Sequence, residues 1–471
     1  PLAPDELGAY YVVMKRRALK RRKQQAVALP QKDGLGRTLR DNLAFELTDA
    51  QRRVIRETLT DLENDVPMLR LVQGDVGSGK TIVAAFAAIR AIEHGCQTAV
   101  MAPTELLAEQ HQLNFQQWLE PLGIQVALLT GQMTAKSQRE TLQRIASGEV
   151  QVIIGTHALF QDKVIFHKLA LAIIDEQHRF GVHQRMALQH KGAYPHQLVM
   201  TATPIPRTLT MTLYADMDVS VIDELPKGRQ PITTHTAAQP KRPELIERLR
   251  KILAQGQQAY WVCTLIEPSE EIEALSAEEA FDLLRRELPE FRVALLHGRM
   301  KGDEKVEVMR AFKAGEYQLL VATTVVEVGV DVPNATQMFI ENAERLGLAQ
   351  LHQLRGRVGR GSKASRCFLL FKPGVSQAGQ HRLNALRQSQ DGFYLAEQDL
   401  KLRGPGDILG TRQSGEQSFK IADLSEHAHL MPRVVQRCET MMNAAPASDD
   451  GIYLTGLLNT WAASDNAHLS V

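Results

Sequence analysis

The chain has 471 residues, 44% hydrophobic and 23% charged, with a formal net charge of +1. This is an ordinary globular composition; the length suggests roughly three domains at about 150 residues each, and the even charge leaves any nucleic-acid contact to a local patch. Cys96, Cys263, Cys367 and Cys438 form no C-x-x-C pair, which argues against a disulfide framework or zinc site and for a reducing, cytosolic setting. No apolar run reaches the roughly 18 residues of a membrane span, and no signal peptide is visible. The chain opens at Pro1 rather than Met, as expected of a fragment whose N-terminal part is missing.

Residues 1–42 are expected to be a basic helical segment and linker. "MKRRALKRRK" (14–23) packs seven cations into ten positions, which fits either a solvated helix face or a phosphate-contacting or docking segment. Pro30, Gly34 and Gly36 break the chain before the next unit. Residues 43–228 alternate helical stretches with the apolar runs "PMLRLVQ" (67–73), "TAVMAP" (98–103), "QVALLT" (125–130), "VQVIIGT" (150–156), "LALAIID" (169–175) and "QLVMTAT" (197–203). Continuous Val/Ile/Leu runs suit parallel strands buried on both faces, joined by right-handed crossovers. "ELPKGRQP" (224–231) is a hinge candidate. Residues 229–384 repeat the rhythm with "QAYWVCTLI" (258–266), "FRVALLHG" (291–298), "YQLLVATTV" (317–325), "TQMFIENA" (336–343) and "SRCFLLF" (365–371). Residues 385–471 lose it and read as helical, then loopy at "NAAPASDDG" (443–451). The predicted fold is α/β, two tandem parallel-sheet domains with a C-terminal extension.

"GDVGSGKT" (74–81) fits G-x-x-x-x-G-K-[ST], follows a strand and opens an apolar helix, as the phosphate loop requires. Gly74, Gly77 and Gly79 let backbone N–H groups face phosphates at a helix N-terminus. Lys80 can reach the β- and γ-phosphates of ATP, and the Thr81 hydroxyl can ligate Mg2+. "LALAIIDEQHRF" (169–180) then places Asp175 and Glu176 at the C-terminal end of a buried strand, where ligands collect in open α/β sheets. Asp175 is the Mg2+ partner, and Glu176 is the base that polarises the attacking water. His178 and His183 lack further ligands for zinc; His178 is expected to hydrogen-bond to the second domain. A phosphate loop alone also fits a kinase or GTPase. "HQLRGRVGR" (352–360) decides for a motor, because Arg357 and Arg360 are one helical turn apart. Arginines supplied across a cleft can neutralise transition-state charge, which ties hydrolysis to closure.

The ordered set "FELTDAQ" (45–51), the phosphate loop, "APTELLAEQ" (102–110), "LLTG" (128–131), "GTHAL" (155–159), "DEQH" (175–178), "TATP" (201–204), "LLHGRM" (295–300), "ATTVVEVGVD" (322–331) and "QLRGRVGR" (353–360) resembles a superfamily 2 helicase with two RecA-like domains. "RLVQGDVGSGKT", "DEQHRFGVHQR", "TATPIPRTLTMT" and "LRGPGDILGTRQSG" narrow the resemblance to RecG-type ATP-dependent DNA helicases over roughly residues 43–420. The resemblance implies that Gln51 reads the adenine edge with Phe45 nearby. Thr201, Thr203 and Gln353 couple hydrolysis to domain movement, and Gly329 and Asp331 sit at the interdomain cleft. It implies a DNA track over Thr104, Gly131, Thr156, Gly298 and Thr323, whose backbone and hydroxyl donors would hold phosphates without reading sequence. It implies action on branched double-stranded DNA, at stalled forks and Holliday junctions, by a monomer of the bacterial cytoplasm and nucleoid, with single-stranded DNA-binding protein as a partner and no membrane contact. The family's N-terminal wedge domain leaves no trace here. In such enzymes a helical hairpin and loop follow the second domain. Lys401 and Arg403 fall at the hairpin end, and Arg412 and Gln413 on a glycine-hinged loop, as candidate couplers. A double-stranded DNA translocase of the transcription-repair coupling type and a non-catalytic, ATP-gated scaffold are the alternatives.

Overall fold

The computed structural model describes residues 2–32, 34–176, 194–206, 210, 214–226, 230–264, 270–324, 331–403, 421–422 and 427–461. The aliphatic runs of the first domain become parallel strands β1 (Leu69–Gly74), β2 (Gln97–Met101), β3 (Val126–Leu129), β4 (Val152–Gly155), β5 (Leu169–Asp175) and β6 (His196–Thr201). A seventh, β7 (Asp218–Ile222), completes the order β3-β4-β2-β5-β6-β1-β7. The sequence pattern does not predict β7. It is an edge strand with its first two residues exposed, so it carries no continuous apolar run.

The second domain contains β8 (Ile232–Ala238), β9 (Gln258–Val262), β10 (Val293–Leu296), β11 (Leu319–Ala322), β12 (Ala335–Ile340) and β13 (Ser365–Phe371), ordered β10-β11-β9-β12-β13-β8. β8 also escapes the sequence pattern, because this Thr-rich edge strand buries only two of its seven residues. Each sheet is covered on both faces. On β11, Leu320 and Ala322 join one core cluster while Leu319 and Val321 join the other, as the two-residue period of a strand requires. Trp261, Phe339, Phe368 and His235 stack across β9, β12, β13 and β8 with ring centroids 4.9, 4.9 and 5.2 Å apart. Such a cross-strand ladder pins the register.

In the first sheet the order β5-β6-β1 makes the C-terminal ends of these three strands neighbours. The phosphate-loop sequence, Asp175 and Thr201 therefore meet at one edge.

The two chain ends also meet. Helix Leu2–Arg21 packs through Leu7, Tyr11 and Val12 against Met431, Val434 and Cys438 of helix Met431–Met442 and Leu454 of helix Asp449–Trp461. The Tyr11 hydroxyl donates to Glu439 at 3.0 Å, and buried Glu6 accepts from the N–H groups of Ile421 and Ala422 at 2.9 and 2.7 Å. At its other end the first helix is tied to the first domain, where Arg21 donates to the Asp216 carbonyl at 2.7 Å. The basic run therefore has one face in contact with protein, while Arg16, Arg17, Arg22 and Lys23 are exposed. The tail after residue 421, to which the sequence assigns no role, supplies the partner helices. Leu7→Ala is expected to cost about 2–5 kcal/mol as a buried leucine truncation. The measurement is amide exchange, which should quicken in Met431–Met442 and stay unchanged in β9 and β12; equal protection of that helix in both proteins would refute the packing role.

Candidate nucleotide site in the interdomain cleft

The phosphate loop leaves β1 at Gly74 and turns through Gly77 and Gly79 at φ 76° and 83°, the left-handed region that glycine enters without penalty. A Cβ at Gly79 would lie 2.3 Å from Gln51 Nε2, and one at Gly74 would lie 2.4 Å from Ser78 Oγ. The cradle thus has room for backbone only. Gln51 is fixed by its own helix start. Its Oε1 accepts from Thr48 N at 2.9 Å in a capping box, and its Nε2 donates to the Ser78 carbonyl at 2.9 Å. Each end keeps a second hydrogen-bonding position, one acceptor and one donor.

Lys80 opens helix Lys80–Glu93 and folds back, its Nζ donating to the carbonyls of Gly74 and Asp75 at 2.8 and 3.0 Å. Burial pushes its pKa down, and the nearby Glu176, Asp175 and Asp75 charges oppose that. Asp175 Oδ2 accepts from His111 Nε2 at 2.7 Å. Burial raises the Asp175 pKa, but the His111 bond and the Lys80 charge outweigh it and hold the carboxyl below its ordinary value. Glu176 has φ 54°, a conformation rare for a side-chain-bearing residue and frequent at functional sites. Burial first, and the Asp175 charge second, raise its pKa to about 7.

The second domain closes the site. Helix Leu348–Arg355 ends one residue before Gly356, whose Cβ position is 2.9 Å from Val76 of the phosphate loop. His352 Nε2 contacts Asp75 Oδ1 at 2.5 Å, and His352 Nδ1 meets Arg355 Nη2 at 2.8 Å. Burial raises the Asp75 pKa, yet the His352 bond and charge override it and keep the carboxyl low. Arg357 and Arg360 lie beyond the helix, so the one-turn helical spacing predicted for them does not hold. Gly359 at φ 76° turns the chain there, and both arginines still line one cavity. Arg360 pairs with Asp331. Gln353 Nε2 donates to Thr203 Oγ1 at 2.6 Å, and Thr203 N donates to Thr201 Oγ1 at 3.2 Å.

The cavity measures about 370 Å³ and is lined from the first domain by Phe45, Gln51, Gly77, Gly79, Lys80, Thr81, Asp175 and Glu176, and from the second by Asp331, Gln353, Arg357 and Arg360. Gly329, His178, Arg412 and Gln413 lie outside the described residues, and of Arg403 only the backbone is described. Helix Glu105–Leu119 adds Leu107, Gln110, His111, Asn114 and Trp118, which sequence reasoning missed. Their spacing of three or four residues on one helix face was the available signal.

Of the track residues, Thr104 caps helix Glu105–Leu119, with Oγ1 accepting from Leu107 N at 3.4 Å. Gly131 is exposed and Gly298 half-buried, whereas Thr156 and Thr323 are buried, so their hydroxyls are closed off from the surface in this conformation. Lys401 is exposed on helix Gly392–Arg403.

Two parallel-sheet domains of this order, facing each other across a phosphate loop and paired arginines, share the architecture of the superfamily 2 helicases. Three family models match in chain order: DEAD/DEAH box helicase over residues 48–212, helicase conserved C-terminal domain over 244–362, and ATP-dependent DNA helicase RecG, domain 3, C-terminal, over 389–454. The ATP-dependent DNA helicase RecG of Escherichia coli (strain K12) is 59% identical over 414 residues, 87% of this chain and 60% of the relative. That of Bacillus subtilis is 50% identical over 81% of this chain and 56% of the relative. A solved structure of RecG bound to a three-way DNA junction superposes with TM-score 0.76 at 40% identity, covering 91% of this chain and 56% of that one. Yeast Dbp5 bound to RNA, at 16% identity and TM-score 0.55, shares the fold alone. The chain belongs to the RecG family and spans about 60% of the length of the curated relatives it matches.

The carboxyl of Glu176 is expected to titrate near 7 in a carbon-13 NMR titration of glutamate-labelled protein. Asp175→Asn, which removes one of the two raising causes, should lower that midpoint. An ordinary glutamate midpoint in the unmutated protein would contradict the assigned burial.

Proposed function

We propose that the chain is the ATP-hydrolysing motor of a RecG-type helicase, driving movement on branched double-stranded DNA. The observation that carries this reading is the shared cavity, in which Lys80, Asp175 and Glu176 of one domain face Arg357, Arg360 and Gln353 of the other. In this reading the phosphates enter the glycine cradle, and Lys80 exchanges its two loop carbonyls for phosphate oxygens. Gln51 meets the adenine edge with its remaining donor and acceptor, beside Phe45.

The cradle would be filled by a single Cβ at Gly74 or Gly79, and Thr81 and Asp175 present hard oxygen ligands of the kind Mg2+ takes. These two residues would hold the cation, which when bound neutralises phosphate charge. Glu176, ionised, takes the proton of the attacking water. Arg357 and Arg360 stabilise the charge that develops on the transferred group, an effect worth about 10³–10⁵ in rate in related enzymes. Gln353 and Thr203 pass the change between the domains. Lys401, Arg403, Arg412 and Gln413 carry it to DNA held over Thr104, Gly131 and Gly298. Single-stranded DNA-binding protein is a proposed partner, on the family resemblance.

Lys80→Ala is expected to abolish ATP hydrolysis, and wild-type turnover in that variant would sink the phosphate-loop assignment. Forked DNA should stimulate hydrolysis more than plain duplex, and duplex more than RNA. Equal stimulation by RNA would instead favour an RNA-directed motor. Because Glu176 acts ionised and its pKa in the free protein is about 7, kcat/KM for ATP should rise with pH through that value and level off above it; a profile flat between about pH 6 and 8 would remove Glu176 as the base.

A further inference from the structure

Helix Glu105–Leu119 starts at Thr104, on the proposed DNA side, and runs beside the nucleotide cavity. Its His111 makes one specific polar contact there, Nε2 to Asp175 Oδ2 at 2.7 Å. A carboxylate only accepts, so Nε2 carries the proton and donates. Both residues are buried, 5% and 9% exposed, so little water competes for the bond. His111 Nδ1 has no hydrogen-bond partner among the described residues. The ring is thus aimed by its own helix and by Asp175.

That helix is also held from the second domain. Gln110 Oε1 accepts from Asp331 N at 3.3 Å, and Glu109 pairs with Arg310 at 2.5 Å. Three successive residues therefore touch the second domain twice and the strand-end carboxylate once.

We propose that His111 is the positioning residue for the cation-holding carboxylate, fixing which Asp175 oxygen faces Thr81. This rests on the assignment of Asp175 under the proposed function. With Oδ2 engaged by His111, Oδ1 is left to the cation. The helix that sets His111 is anchored on the second domain, so the aim of Asp175 depends on the cleft contacts. Partners that orient a metal-binding side chain from behind typically cost about 10–100-fold in metal affinity when removed.

The test is calorimetric ADP binding to the unmutated chain, His111→Ala, His111→Gln and Asp175→Ala, each with excess Mg2+ and again in EDTA. In EDTA the unmutated chain and the two His111 variants should bind within about twofold of one another, because the glycine cradle, Lys80 and the Asp175 charge are untouched. With Mg2+, His111→Ala should lose about 10–100-fold, approaching Asp175→Ala. His111→Gln, whose amide can still donate, should recover most of the loss. A wild-type gain from Mg2+ in His111→Ala would overturn the proposal. So would an equal loss with Mg2+ and in EDTA in both His111 variants, which would make His111 a packing residue. If the unmutated chain itself gains nothing from Mg2+, the assignment of Asp175 as cation holder fails instead.

Discussion

The contact between Asp75 Oδ1 and His352 Nε2, 2.5 Å long, joins the two halves of the site. Asp75 belongs to the phosphate loop and His352 to the helix that precedes the arginines. Around it the backbones meet closely: Gly356 lies against Val76, and a Cβ at Gly392 would be 2.8 Å from His352 Nε2 and 2.6 Å from Pro204 Cγ. A larger residue at either glycine would force these neighbours to shift. A partly buried hydrogen bond to a carboxylate is costly to break from one side, because the surviving carboxylate is left desolvated.

The same contact has a second side. His352 meets Arg355, and Arg355 Nη1 donates to the carbonyls of Leu386 and Ser389 at 2.7 and 2.8 Å. Those carbonyls end helix Gln377–Gln388, just before helix Gly392–Arg403. Asp399 of the latter helix accepts from Leu348 N at 3.0 Å and Ala349 N at 3.4 Å, at the start of the helix that carries His352. A hydrogen-bonded path therefore runs from the phosphate loop to the helical hairpin through three buried side chains and one helix terminus. Its members are stiff in the sense that each has its partners fixed on both sides.

How much of this was legible in the sequence follows from what each feature depends on. Residues 74–81 are a local device, where glycine positions and the following helix are set by neighbours in the chain, so the loop could be read directly. Strands buried on both faces announced themselves as unbroken aliphatic runs, whereas β7 and β8 at the sheet edges mixed polar with apolar residues and did not. His111 and His352 were invisible for a different reason. Their partners are 64 and 277 residues away, and nothing local distinguishes an imidazole aimed at a distant carboxylate from one facing water. Arg357 and Arg360 were read as a pair for their spacing, but what brings them together is a turn past the helix end.

The packing of the first helix on the last ones has a geometrical consequence for domain movement. The covalent link between the domains, around residues 224–231, is one attachment. The helix pair at the chain ends is a second, since the first helix is bound to Asp216 of the first domain while Leu400, on the hairpin of the second, belongs to the same apolar cluster. A body held at one point turns about any axis. Held at two, it keeps only rotation about the line between them. The second domain is in this respect hung like a door rather than mounted on a ball joint.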